Sequence, residues 1–168
     1  MSLSPATDTS TLKSTFGHYP SGVAAISAEV DGVALVLVSS SFTVGVSLEP
    51  PLVMFAVQHS SQTWPLLKKA TRLGVSVLSS KQDALCRQLS SGDRSARFDG
   101  VVLVPTDSDA VLFEGASAWM HCSVFAEHRA GDHDIVVLRV HDHDSDFDSD
   151  PLVFHGSAFR SFHDHAAG

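Results

Sequence analysis

Short apolar runs rich in Val, Ile, Leu and Ala recur along the chain at close intervals, broken by turn residues rather than by long helical stretches. Such runs occupy residues 22–30, 33–41, 52–57 and 74–78, and later 101–104, 116–127, 135–141 and 152–155. The first two are separated only by Asp31-Gly32, a dipeptide that tolerates positive φ and predicts a hairpin. Gly131-Asp132 carries the same signal. Helical spacing is sparse. Leu12, Phe16 and Tyr19 suggest a short helix ending near Pro20. A second is expected over residues 64–70, with Thr63 as N-cap and Pro65 early in the first turn, and a third over 81–89. Residues 90–100 read as a loop. Many strands and few helices predict a mainly β fold, an antiparallel barrel or sandwich rather than a parallel α/β sheet. No G-x-G-x-x-G follows a strand, so a Rossmann nucleotide site is unsupported. Residues 1–10 and 161–168 read as tails, leaving a single domain over 11–160.

Composition narrows the function. A chain of 168 residues with 43% hydrophobic residues supports one full core. Its net charge of −8 argues against nucleic acid, which demands a basic footprint. No apolar run approaches the roughly 18 residues of a membrane span, and the polar start is no leader peptide. The two cysteines, Cys86 and Cys122, are too few for a disulfide framework and read as buried thiols in a cytoplasmic protein. Ten histidines, many beside aspartates, invite a metal reading, but no metal-site spacing is present and none is expected. His163 and His165 fall in the C-terminal tail.

Chemistry concentrates in residues 39–55, SSSFTVGVSLEPPLVMF. Three consecutive hydroxyls, an aromatic, Ser47 and the Pro50-Pro51 pair precede an apolar strand. HSSQTW follows at residues 59–64, a second cluster of small donors. Hydroxyls and free N–H groups at strand ends can hold a phosphate. Two such clusters on neighbouring strands suggest a phosphorylated ligand lying across a sheet; ordinary polar loops also contain such clusters.

In order along the chain stand Ser40, Ser41, Phe42, Val46, Ser47, Leu48, Glu49, Pro50, Pro51, Leu52 and Val53, then Ser61, Thr63 and Trp64, and finally Gly131, Asp132, His133 and Ile135. Pro20 to Val23 precede them, and a P-L-V-F with Gly156 and Phe159 closes the series. This ordered set resembles the short-chain flavin reductase family, the reductase components of two-component flavin-dependent monooxygenases. The resemblance covers residues 16–159. It implies a split β-barrel, usually a homodimer, that transfers hydride from NADH to FAD, with FMN as the other candidate flavin, and passes reduced flavin to a separate monooxygenase. It assigns Ser39, Ser40, Ser41 and Phe42, helped by Ser47, to the flavin ring edge and ribityl chain. Gln58, Ser60, Ser61, Thr63 and Trp64 fall to the phosphate and ribityl chain, and Phe159 also joins the cofactor-binding set. Val38 stands where the family carries threonine and offers only its backbone. Ala96 replaces the acidic residue of a D-R-F motif, leaving Arg97 and Phe98, with Arg97 a cation for phosphate. His133 is assigned to the nicotinamide side, where it orients rather than reacts, because the cofactors carry the chemistry. A flavin-binding split barrel acting as an electron carrier, or a β-barrel interaction module, is the alternative reading.

Overall fold

The computed structural model describes residues 5–160 and 162. Helix α1 (Thr9–Gly17) begins inside the stretch read as a tail. Asp8 sets its start: the carboxylate accepts from the backbone N–H of Ser10 at 3.1 Å and of Thr11 at 3.3 Å. No residue of α1 is buried, and Phe16, one of the residues whose spacing suggested the helix, faces solvent.

The rest is mostly strand: β1 (Ser21–Gly22), β2 (Ala24–Val30), β3 (Val33–Ser39), β4 (Thr43–Leu48), β5 (Pro51–Gln58), β6 (Leu73–Val77), β7 (Leu103–Val104), β8 (Leu112–Phe113), β9 (Ala118–Ala130), β10 (His133–Ser145), β11 (Val153–His155) and β12 (Ala158–Arg160), with α2 (Trp64–Leu67) and α3 (Asp83–Leu89) between them. Seven strands form one antiparallel sheet in the order β3-β2-β6-β9-β10-β5-β4, and β1, β11 and β12 form a small second sheet. The large sheet curls until β3 comes back toward β5. No main-chain ladder joins those two strands among the described residues, so the molecule is a split β-barrel, mainly β as the strand-rich pattern predicts. Among the described residues no helix is long and apolar enough to cross a membrane.

Asp31 and Gly32 both adopt positive φ, 53° and 76°, which is the type I′ geometry expected of a tight β2–β3 hairpin. Two differences from the sequence reading have physical reasons. Strand β4 falls outside the runs read as strands; its apolar residues Val44, Val46 and Leu48 alternate with Gly45 and Ser47 and face outward, 62%, 40% and 88% exposed. Helix α2 stops at Leu67, and Thr63 makes no side-chain cap bond. Instead the Trp64 N–H donates to Ser61 Oγ at 3.2 Å.

Two cores flank β2. Ala24, Ile26 and Ala28 point into the barrel with Phe55, Leu73, Val75, Cys122, Val136 and Leu138. Ala25 points the other way, with Val23, Val36, Leu78, Leu89, Phe113 and Leu152 beneath α3. Both thiols are free and buried, and burial pushes the Cys122 thiol up to about 12, which leaves it unreactive.

Candidate functional site

A cavity of about 500 Å³ opens where the end of β3, the end of β5, the turn after it and the start of β10 converge. The register explains the convergence. Gln58 pairs with His133 across β5 and β10, so the last residue of one strand meets the first of the other. The 59–61 turn continues from Gln58, and residues 37–41 close the opposite wall. Sequence-distant donor clusters are thereby brought to one place. Ser39, Ser40, Ser41, Gln58, Ser60, Ser61 and His133 all line the cavity, with Leu37, Val38, Ala56 and Val57 supplying an apolar floor.

The rim is fixed by two His–Asp pairs. His133 Nδ1 lies 2.7 Å from Asp132 Oδ1, and His59 Nε2 lies 2.9 Å from Asp134 Oδ1. The His59 N–H also donates to the Asp132 carbonyl at 3.0 Å. Asp132 is held below the ordinary carboxylate range chiefly by its contact with His133. With Nδ1 turned to that carboxylate, His133 keeps Nε2 for a ligand.

The serine wall is not uniform. Ser39 is buried, and its hydroxyl lies 2.8 Å from Ser41 Oγ. Ser41 Oγ donates to the Ala56 carbonyl at 3.1 Å and accepts from the Ala56 N–H at 2.9 Å. Its N–H donates to Ser39 Oγ at 3.2 Å. A hydroxyl has one proton and two lone pairs, and these partners use all three. Ser40 is exposed at the cavity and its hydroxyl has no partner among the described residues. Ser40 is therefore the free donor of this segment, whereas the sequence reading spread that role over all three serines. Ser60 Oγ donates to Gln58 Oε1 at 3.2 Å, which orients that amide along the rim.

Other residues expected at the site lie elsewhere. Trp64 is 3% exposed in the barrel core, edge-on to Phe55 at 5.2 Å, and its indole N–H donates to Glu127 Oε1 at 2.7 Å. Ser47 sits on β4 opposite Leu52, and Phe42 packs against the barrel core. Phe98 stacks on Phe113 in the outer core, and Phe159 packs against Phe154 with the Arg87 guanidinium 4.9 Å from its ring centroid. Arg97 is committed to main-chain carbonyls: its Nε and Nη2 donate to Ser91 O at 2.9 and 2.6 Å, and its Nη1 to Val36 O at 3.2 Å. It thus pins the 90–100 loop onto β3.

Thr63, Arg94, Arg97 and Phe98 together line a second cavity of about 310 Å³ against Val33–Val36, adjoining the first along β3 and the 59–63 turn. Burial first, and the Arg94 charge second, depress the Arg97 guanidinium. Neither arginine has a carboxylate partner among the described residues. Among the described residues Arg94 donates only to Gln62 Oε1, at 3.3 Å. The sequence reading missed Arg94; its one signal was position, three residues before Arg97 in a loop already suspected of anion contact.

A slot with an apolar floor, hydroxyl and amide donors along one wall, a histidine on the rim and a neighbouring pair of uncompensated cations suits a flat heteroaromatic ring carrying a phosphorylated side chain. Known proteins agree with that chemistry. The family described as flavin reductase like domain matches residues 16–163. A flavin reductase of Pseudomonas putida is 34% identical over 158 residues, covering 94% of this chain and 92% of that protein. A flavin-dependent monooxygenase reductase subunit, HsaB, of Mycobacterium tuberculosis is 31% identical over 134 residues, covering 80% and 71%. The solved NADH:FAD oxidoreductase SgcE6 of Streptomyces globisporus, in complex with NAD and FAD fragments, superposes with a TM-score of 0.90 at 28% identity, covering 99% of this chain and 100% of that one. Split barrel, site and sequence thus converge, and the chain belongs to the flavin reductase like domain family.

Proposed function

We propose that this protein is an NADH-dependent flavin reductase that supplies reduced flavin, FAD in preference to FMN, to a separate flavin-dependent monooxygenase. The observation that carries the reading is the cavity itself, where the serine wall of β3 and His133 of β10 face one slot across the end of β5. The flavin supplies the hydride-accepting ring when bound. The chain's own residues bind and orient. Ser40, Gln58 and Ser60 offer hydrogen bonds to polar edges, and the Leu37 to Ser41 and Ala56 to Val57 walls exclude water from the faces. His133, its Nδ1 turned to Asp132, presents Nε2 for the carboxamide of the nicotinamide. NADH oxidation measured with and without added free flavin tests the reading. Turnover that requires added flavin supports a reductase releasing its product, and turnover independent of it would favour a resident-flavin electron carrier.

Arg94 extends the site toward phosphate. Arg94→Gln is expected to raise the KM for FAD and FMN about tenfold, the scale of one charge-assisted hydrogen bond, while leaving riboflavin unaffected. Steady-state kinetics with the three flavins check it.

The protein is proposed to work as a homodimer. Strand β4 is an open sheet edge with Val44, Val46 and Leu48 exposed, and such edges are normally covered. Light scattering at micromolar concentration should give twice the monomer mass, and a monomeric mass would refute the dimer.

A further inference from the structure

We propose that Ser41 is a positioning residue whose hydroxyl closes the split in the barrel and so sets the distance between the serine wall and the strand that carries His133. The proposal rests on the reading of this cavity as the flavin site. The large sheet has no ladder between β3 and β5. At that seam Ser41 Oγ takes both main-chain groups of one β5 residue, donating to Ala56 O at 3.1 Å and accepting from Ala56 N at 2.9 Å. One side chain does there what a strand neighbour does elsewhere. Ser39 steadies it from behind at 2.8 Å, from a buried position at the end of β3.

The consequence reaches His133 through the register. Ala56 pairs with Ile135 and Gln58 with His133 on β10. The chain of contacts Ser39, Ser41, Ala56, Ile135 therefore spans the slot from one wall to the other. Removal of the hydroxyl leaves the Ala56 N–H and C=O without partners beside an open cavity, and water enters the seam. The two walls are then free to separate, which a reaction that depends on donor–acceptor distance registers strongly.

The test compares Ser41→Ala, Ser41→Thr and the parent. Threonine keeps the hydroxyl, and its extra methyl has room because residue 41 is exposed at the cavity. In the flavin-free protein, amide exchange at Ala56 should accelerate about tenfold in Ser41→Ala, the scale of one or two lost hydrogen bonds, and return to the parent rate in Ser41→Thr. With flavin added, Ser41→Ala should slow hydride transfer in stopped flow at saturating NADH and flavin, and Ser41→Thr should restore it. Leu152→Val, in the outer core, is the control for lost stability alone and should leave hydride transfer at the parent rate. Unchanged exchange at Ala56 would overturn the clamp. Faster exchange with parent-like hydride transfer would overturn the positioning role. Failure of the underlying site reading shows separately, as FAD leaving the amide resonances of residues 38–41 and 56–61 of the parent undisturbed.

Discussion

Replacement of His133 by alanine is expected to slow reduction of bound flavin by NADH by up to about 100-fold, with oxidised-flavin affinity nearly unchanged. The asymmetry follows from where the side chain sits. It begins β10, opposite Gln58, on the rim rather than in the serine wall. Its Nδ1 is taken by Asp132, which holds the ring and leaves Nε2 for the nicotinamide in the proposed reading. Loss of the ring removes orientation of the hydride donor and leaves Ser40, Gln58 and Ser60 in place. The loss is partial because hydride passes between cofactors and requires no protein acid or nucleophile. Stopped-flow reduction across a range of NADH concentrations reads both the limiting rate and the half-saturating concentration. A parent rate at every concentration would reduce His133 to a turn residue after Gly131-Asp132.

Gly74→Ala is expected to be the most destabilising small substitution in the chain. Gly74 lies in β6, between β2 and β9, paired with Ser27 and His121. Its φ is ordinary; what demands glycine is the segment that crosses it. A Cβ there would sit 2.0 Å from the Val111 carbonyl oxygen and 2.9 Å from Leu112 Cδ2. That segment cannot retreat easily, because the buried hydroxyl of Ser27 donates to Val111 O at 2.8 Å and that of Ser76 accepts from the Phe113 N–H at 3.1 Å. Overpacking against anchored backbone costs about 3 kcal/mol or more. At this chain length that lowers Tm by roughly 6–12 °C. Gly92→Ala is the matched control: nothing lies within 4 Å of the added methyl, and Tm should hold. Calorimetry or thermal circular dichroism on both variants checks the contrast.

What could be read in the sequence was whatever local rules determine. Asp31-Gly32 and Gly131-Asp132 announced their hairpins because φ preference is a property of the residues themselves. The runs over β2, β3, β5, β6 and β10 were legible because β-branched and apolar residues are dense there. The donor clusters at 39–41 and 59–64 and the histidine at 133 were found as motifs, and the fold places Ser39, Ser40, Ser41, Ser60, Ser61 and His133 on one cavity. The remainder depended on partners far along the chain. Trp64 looked like a ligand aromatic because nothing local tells that its indole N–H meets Glu127, 63 residues away. Arg97 looked like a free cation because its acceptors, Ser91 O and Val36 O, are main-chain groups that any sequence offers. Ser41 and Ser40 are identical letters, and only tertiary geometry separates the hydroxyl that is used up from the one that is free. Gly74 gave no sign at all, since close approach of another segment leaves no trace in the residue's own neighbours. Asp8, by contrast, was a readable N-cap: D-T-S-T opens a helix in the usual way, and the expectation of a tail obscured it.

Strand β2 hydrogen-bonds to β3 on one side and β6 on the other, and its two faces serve different cores. Ala24, Ile26 and Ala28 complete one; Ala25 completes the other. Neither core can therefore melt on its own, because each would have to surrender the strand they hold in common. Heat or denaturant meets a single cooperative unit, with no subdomain able to come away first. The serine wall shares in that arrangement only at its base: Ser39 is paired with Ala24 of β2, whereas Ser40 and Ser41 lie beyond the ladder and can yield locally.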